Sequence, residues 1–117
     1  MTLPSYATYA VVPLHLAAGF LFALVPASVY HQAYYAVFGA IVLTLLVTVV
    51  VYGYTVWQLQ PGFAILWIQF LLVLLAVAVP FFTVDFGDAW TAIVYLPIMG
   101  GSALACLLVG HALRFMA

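Results

Sequence analysis

Charge is what this sequence has least of. Its 117 residues hold only three charged side chains, Asp85, Asp88 and Arg114, and no glutamate at all. A soluble domain carries roughly 25% charged residues. Here the share is 3%, against 71% hydrophobic residues and a mean hydropathy of +1.40, so water is not the main solvent of this chain. One cation makes no basic surface to neutralise phosphates, which excludes nucleic-acid binding.

Cysteine is nearly absent too. The single Cys106 rules out an internal disulfide and any C-x-x-C redox or metal motif. There is no Walker loop, Gly-rich dinucleotide motif, His-rich tract or C-terminal lipidation box. The stretch Met1 to Tyr9 lacks the positive n-region of a secretory signal. The apolar segment after it is long enough to span, so the first helix is read as retained.

What is present is long apolar runs. About 20 such residues let an α-helix cross a hydrocarbon core roughly 30 Å thick. Punctuation divides the chain into four runs, at about 6–30, 34–57, 63–83 and 89–115. The first ends at Ser28-Val29-Tyr30-His31-Gln32 and the second at Gln58-Leu59-Gln60-Pro61-Gly62, whose Pro-Gly pair is a strong turn signal. Asp85-Phe86-Gly87-Asp88 closes the third, with Asp88 as an N-cap for the fourth. The runs are continuously apolar rather than alternating, which excludes a transmembrane β-barrel.

The expected fold is therefore an all-α integral membrane protein, a single transmembrane domain over residues 1–117. Short connections imply antiparallel neighbours, hence an up-down-up-down bundle of four transmembrane helices with both termini on the same side. Arg114 on that side assigns it to the cytoplasm or its equivalent, in a cytoplasmic (inner) or organellar membrane. Tyr6, Tyr9, Tyr30, Tyr34, Tyr35, Tyr52, Tyr54, Trp57 and Trp90 fall near predicted helix ends, where amphipathic rings form interfacial belts.

Small residues four apart let helix backbones approach closely in lipid. Gly19, Ala23 and Ala27 make such a stripe on the first helix, Ala36, Ala40, Thr44 and Thr48 on the second, and Ser102, Cys106 and Gly110 on the fourth. They serve packing within the chain or docking onto other subunits. Pro13, Pro26, Pro97 and Gly100-Gly101 are candidate kink positions.

Ionisable groups inside a membrane segment are costly and so are functional candidates. His15 and His111 lie in the segments, and His31 in the first loop. Imidazoles from two helices can ligate haem iron; Gly19, one turn from His15, leaves room for a flat macrocycle, and Arg114, one turn beyond His111, can meet a propionate. The cofactor-binding candidates are thus His15, His111 and Arg114, with His15 and His111 as ligands of haem b iron and quinone as the other cofactor considered. Gln69, in the third helix, is read as a hydrogen bond between helices.

No nucleophile, base and acid constellation marks an active site, so the chain is not expected to be catalytic alone. The leading expectation is a small accessory transmembrane subunit of a multisubunit complex, of the electron-transfer kind (respiratory or photosynthetic), with other transmembrane subunits as partners. The alternative is a small homo-oligomeric transporter or channel. In length and helix count the chain resembles the small multidrug transporters. That family depends on a glutamate embedded in its first helix, and the absence of glutamate here counts against proton-coupled export.

Overall fold

The structure, a computed structural model, describes residues 5–28, 31–84 and 89–116, with side chains over 8–23, 35–84 and 91–116. A 3-10 turn over Ser5–Ala10 leads into α1 (Val11–Ser28), followed by α2 (His31–Leu59), α3 (Phe63–Thr83) and α4 (Ala89–Met116). The fold is an up-down-up-down helical bundle with both termini at one end. Helices α2, α3 and α4 are each long and apolar enough to cross a membrane. At 18 residues, α1 is shorter.

The boundaries depart from the sequence expectation for local reasons. The α-helix starts at Val11, not near Tyr6, because Pro13 has no N–H and its ring would collide with the carbonyl of Tyr9 in a continuing α-ladder. Beginning at Val11 puts the proline in the first turn, where donors lack intrahelical partners anyway. The second helix runs to Leu59 and ends through Gln60, whose φ of 50° is left-handed. Its N–H bonds Val56 O at 2.8 Å and its Nε2 bonds Trp57 O at 2.8 Å, so two terminal carbonyls are satisfied before Pro61 forbids further helix. The proposed N-cap Asp88 lies outside the described residues.

The order of helices around the bundle differs from the antiparallel neighbours that short connections imply. Helix α1 packs chiefly on α3 and α2, and α4 on α2 and α3. Consecutive helices α2 and α3, joined only by Gln60, Pro61 and Gly62, therefore sit on a diagonal and are not neighbours. A short loop fixes the directions of two helices but not their lateral contact. The bundle is 46 Å long, close to a bilayer with its headgroups at about 40–45 Å.

Polarity is distributed inside out. Thr8, His15, Thr48, Thr55, Gln69, Thr91 and Ser102 are buried, while Leu43, Val50, Leu71, Leu75, Leu108 and many other large apolar residues face outward. In lipid this is the expected solution, because polar groups must find partners inside the protein and apolar ones need none. Threonine hydroxyls without interhelical work bond their own helix: Thr44 to Ala40 O, Thr48 to Thr44 O and Thr83 to Val79 O.

Candidate functional site: the polar core and the outer face of α2

Both diagonals of the bundle are bridged by buried hydrogen bonds. On the first, His15 of α1 has Nδ1 2.9 Å from Val11 O and Nε2 2.8 Å from Ser102 Oγ of α4. A carbonyl only accepts, so Nδ1 donates to Val11 O, and in the neutral ring Nε2 then accepts the serine hydroxyl. On the second diagonal, Tyr52 OH of α2 donates to Gln69 Oε1 of α3 at 2.7 Å, and Gln69 Nε2 donates to Thr8 Oγ1 at 2.6 Å. Gln69 thus acts between helices, as read from the sequence. Tyr52 does not belong to an interfacial belt. It is 4% exposed and aims its hydroxyl inward, whereas Tyr54 and Trp57 do face outward.

A third bond ties α4 to α3. Tyr95 OH donates to Val77 O at 2.6 Å, one turn from Pro80. Gly19 packs into this junction so closely that a Cβ there would stand 2.7 Å from Tyr95 OH and 2.8 Å from Pro80 Cγ. The space at Gly19 is filled by protein and is not a slot for a macrocycle.

His111 and Arg114 occupy a different corner, between α4 and α3. The His111 ring packs against Phe63 and Trp67 at 5.5 and 5.3 Å between centroids, with Nδ1 2.9 Å from Leu107 O; its Nε2 is buried without a hydrogen-bond partner. Arg114 donates through Nε to Pro61 O at 2.9 Å and through Nη1 to Gln60 Oε1 at 3.4 Å, with its guanidinium 5.6 Å from the Phe63 ring centre.

The structure brings His111 and Arg114 to one corner but does not bring His15 to them. Two imidazoles on one iron hold their ligating nitrogens about 4 Å apart, since each metal–nitrogen bond is about 2 Å. The His15 ring ends at Ser102, while that of His111 folds back only as far as Leu107. Position 107 is still five residues, about 8 Å of helical rise, from position 102. His15 also has both nitrogens engaged. These residues do not fit a bis-histidine haem. Among the described residues no group of three His, Cys, Asp or Glu could hold a metal ion.

The small-residue stripes divide by orientation. Gly19 and Ala23 on α1 and Ser102, Cys106 and Gly110 on α4 are buried within the bundle. A Cβ on Gly110 would meet Tyr52 Cε1 at 3.2 Å and Leu66 Cδ2 at 3.4 Å. Ala27 lies outside the described side chains. On α2 the stripe faces out: Ala36, Ala40 and Thr44 are exposed, and only Thr48 turns inward. Gly39, unnoticed in the sequence because it lies three residues past Ala36 and not four, shares that outer face, and a Cβ there would meet nothing within 4 Å. The face continues into an open groove of about 310 Å³ bounded by Leu14 of α1 and by Leu43, Thr44 and Val47 of α2.

A second groove of about 200 Å³ runs between α2 and α4, lined by Leu45, Val49, Ile98, Gly101 and Ser102 among others. Neither groove is lined by His15, His111 or Arg114. What the arrangement does chemically is hold four helices together through uncharged hydrogen bonds and present a narrow-profile face on α2. The chain matches no known protein family, no curated protein and no solved structure.

Proposed function

We propose that this chain is a small accessory transmembrane subunit that docks against the helices of other membrane subunits through the outer face of α2. The observation that carries this reading is the orientation of Ala36, Gly39, Ala40 and Thr44, which are small and exposed on one face. Small residues permit close helix approach and gain nothing facing lipid chains, which pack as well on leucine. Gly19 and Ala23 of α1 and Ser102, Cys106 and Gly110 of α4 are already used within the bundle.

An electron-transfer complex is the finer reading of the assembly, but a haem shared by His15 and His111 does not support it, because the two rings lie in different corners of the bundle. The complex lies in a cytoplasmic (inner) or organellar membrane, with both termini of the chain on the cytoplasmic side. A homo-oligomeric transporter or channel would use the same face of α2 for a second copy of the chain. The cavity between Tyr52, Gln69 and Cys106 has no room for water, so the single bundle offers no aqueous path there.

The test is purification of the tagged chain from its native membrane in mild detergent, with the subunit list and visible spectrum of the assembly recorded. Co-purification with other membrane chains in fixed ratio supports the proposal. A chain that runs alone, or only with copies of itself, overturns it.

A further inference from the structure

The one cation of the chain sits at the end of the bundle and has no charged partner among the described residues. Arg114 is in the last turn of α4, beside the loop that joins α2 to α3. Its carbonyl and amide partners, Pro61 O and Gln60 Oε1, are uncharged, and among the described residues there is no carboxylate side chain. Val84 and Ala89, which flank Asp85 and Asp88 in the sequence, lie at the opposite end of the bundle. A partly buried charge is costly unless paired.

The guanidinium is also held in place. Nε and Nη1 are committed to the loop and the group lies on the face of Phe63, which leaves Nη2 without a partner among the described residues. Around this end Tyr54, Trp57, Phe63 and Trp67 are between 44% and 60% exposed. Aromatic rings of that kind mark the depth of lipid headgroups. An arginine fixed there, with a free pair of N–H donors, is built for an anionic oxygen.

We propose that the corner formed by Arg114, Phe63 and Pro61 binds the phosphodiester of an anionic phospholipid, with Nη2 donating to phosphate oxygen and the Phe63 and Trp67 rings lying along the glycerol and upper acyl chain. The bound lipid supplies an anionic partner, which Arg114 does not have among the described residues, beside the contact that α4 already makes with the α2–α3 loop. This site is independent of the docking face on α2.

The experiment is native mass spectrometry on the full chain in detergent, titrated with phosphatidylglycerol, with diacylglycerol (the same chains without phosphate) and with inorganic phosphate. Wild type should retain phosphatidylglycerol over diacylglycerol, and Arg114→Gln should lower that retention about fivefold, the effect of one cation near an anionic surface, with diacylglycerol unchanged. Equal retention by wild type and Arg114→Gln, or no preference over diacylglycerol, overturns the proposal. Competition by equimolar inorganic phosphate overturns the lipid assignment in favour of a free-anion site. If Arg114→Gln fails to fold by circular dichroism, Arg114→Lys decides: it keeps the charge but not the fork, so its retention must fall below that of wild type and stay above that of diacylglycerol.

Discussion

His15 Nε2 and Ser102 Oγ stand 2.8 Å apart across the diagonal between α1 and α4, in a core where His15 is wholly buried. Removing the serine hydroxyl leaves a bare imidazole nitrogen with no water to replace it. Ser102→Ala should therefore destabilise the bundle by about 1–3 kcal/mol, the cost of an unsatisfied buried group. His15→Leu combined with Ser102→Ala should cost less than the sum of the two singles, with a coupling of about 0.5–1.7 kcal/mol. Reversible unfolding of the three variants in mixed micelles measures both quantities, and strict additivity would show that the bond contributes nothing.

Tyr52 and Gln69 should behave alike on the other diagonal. Tyr52→Phe keeps the ring and leaves Gln69 Oε1, 2.7 Å from the lost hydroxyl, without its donor. A loss of about 1 kcal/mol is expected, and Gln69→Leu should abolish most of the further effect of Tyr52→Phe. The same micelle titrations test it.

Gly19 is the position where one added methyl group has the largest predicted effect. The new Cβ would stand 2.7 Å from Tyr95 OH and 2.8 Å from Pro80 Cγ; the hydroxyl is anchored on Val77 O and a proline ring does not swing away. Gly19→Ala should cost about 1–3 kcal/mol, as overpacked cores do. Adding Tyr95→Phe should recover part of that loss, although it also deletes a hydrogen bond. Gly39→Ala, on the open outer face, should instead leave the isolated chain as stable as before or raise its stability by up to about 1 kcal/mol, the helix-propensity difference.

Four apolar runs and the turn residues between them made the helix count, type and direction readable from the sequence, because lipid imposes a length and a hydropathy on each crossing. Lateral order was not readable. Nothing in Gln60-Pro61-Gly62 distinguishes a hairpin of neighbours from one across a diagonal, and the answer comes from where Tyr52, Gln69, His15 and Ser102 find partners. Polarity identified Gln69 and His15 as interior groups, yet spacing could not pair them: residues 15 and 102 are joined only by tertiary packing. His15 and His111 looked alike as histidines at membrane depth. The structure separates them into a satisfied core residue and a ring held against Phe63 and Trp67 beside the one cation.

The stripes show the same limit. Three helices carry small residues at the same spacing, and the pattern does not say which face inward. Tyr52 and Leu66 close over Gly110, and Tyr95 and Pro80 over Gly19, so bulky substitutions there test the folding of the chain and not its docking. Among the described side chains, the α2 stripe is the one exposed and so the one that tests association.

The most direct measurement of the proposed role is the size and composition of the native assembly for wild type and for Ala40→Leu, purified side by side in mild detergent. Ala40 is exposed on α2 and its replacement does not touch the core. The account predicts that wild type co-purifies with other membrane chains, while Ala40→Leu elutes as a free chain with an unchanged unfolding midpoint. An Ala40→Leu chain that remains in the same assembly, or a wild-type chain found only alone or with copies of itself, would contradict it.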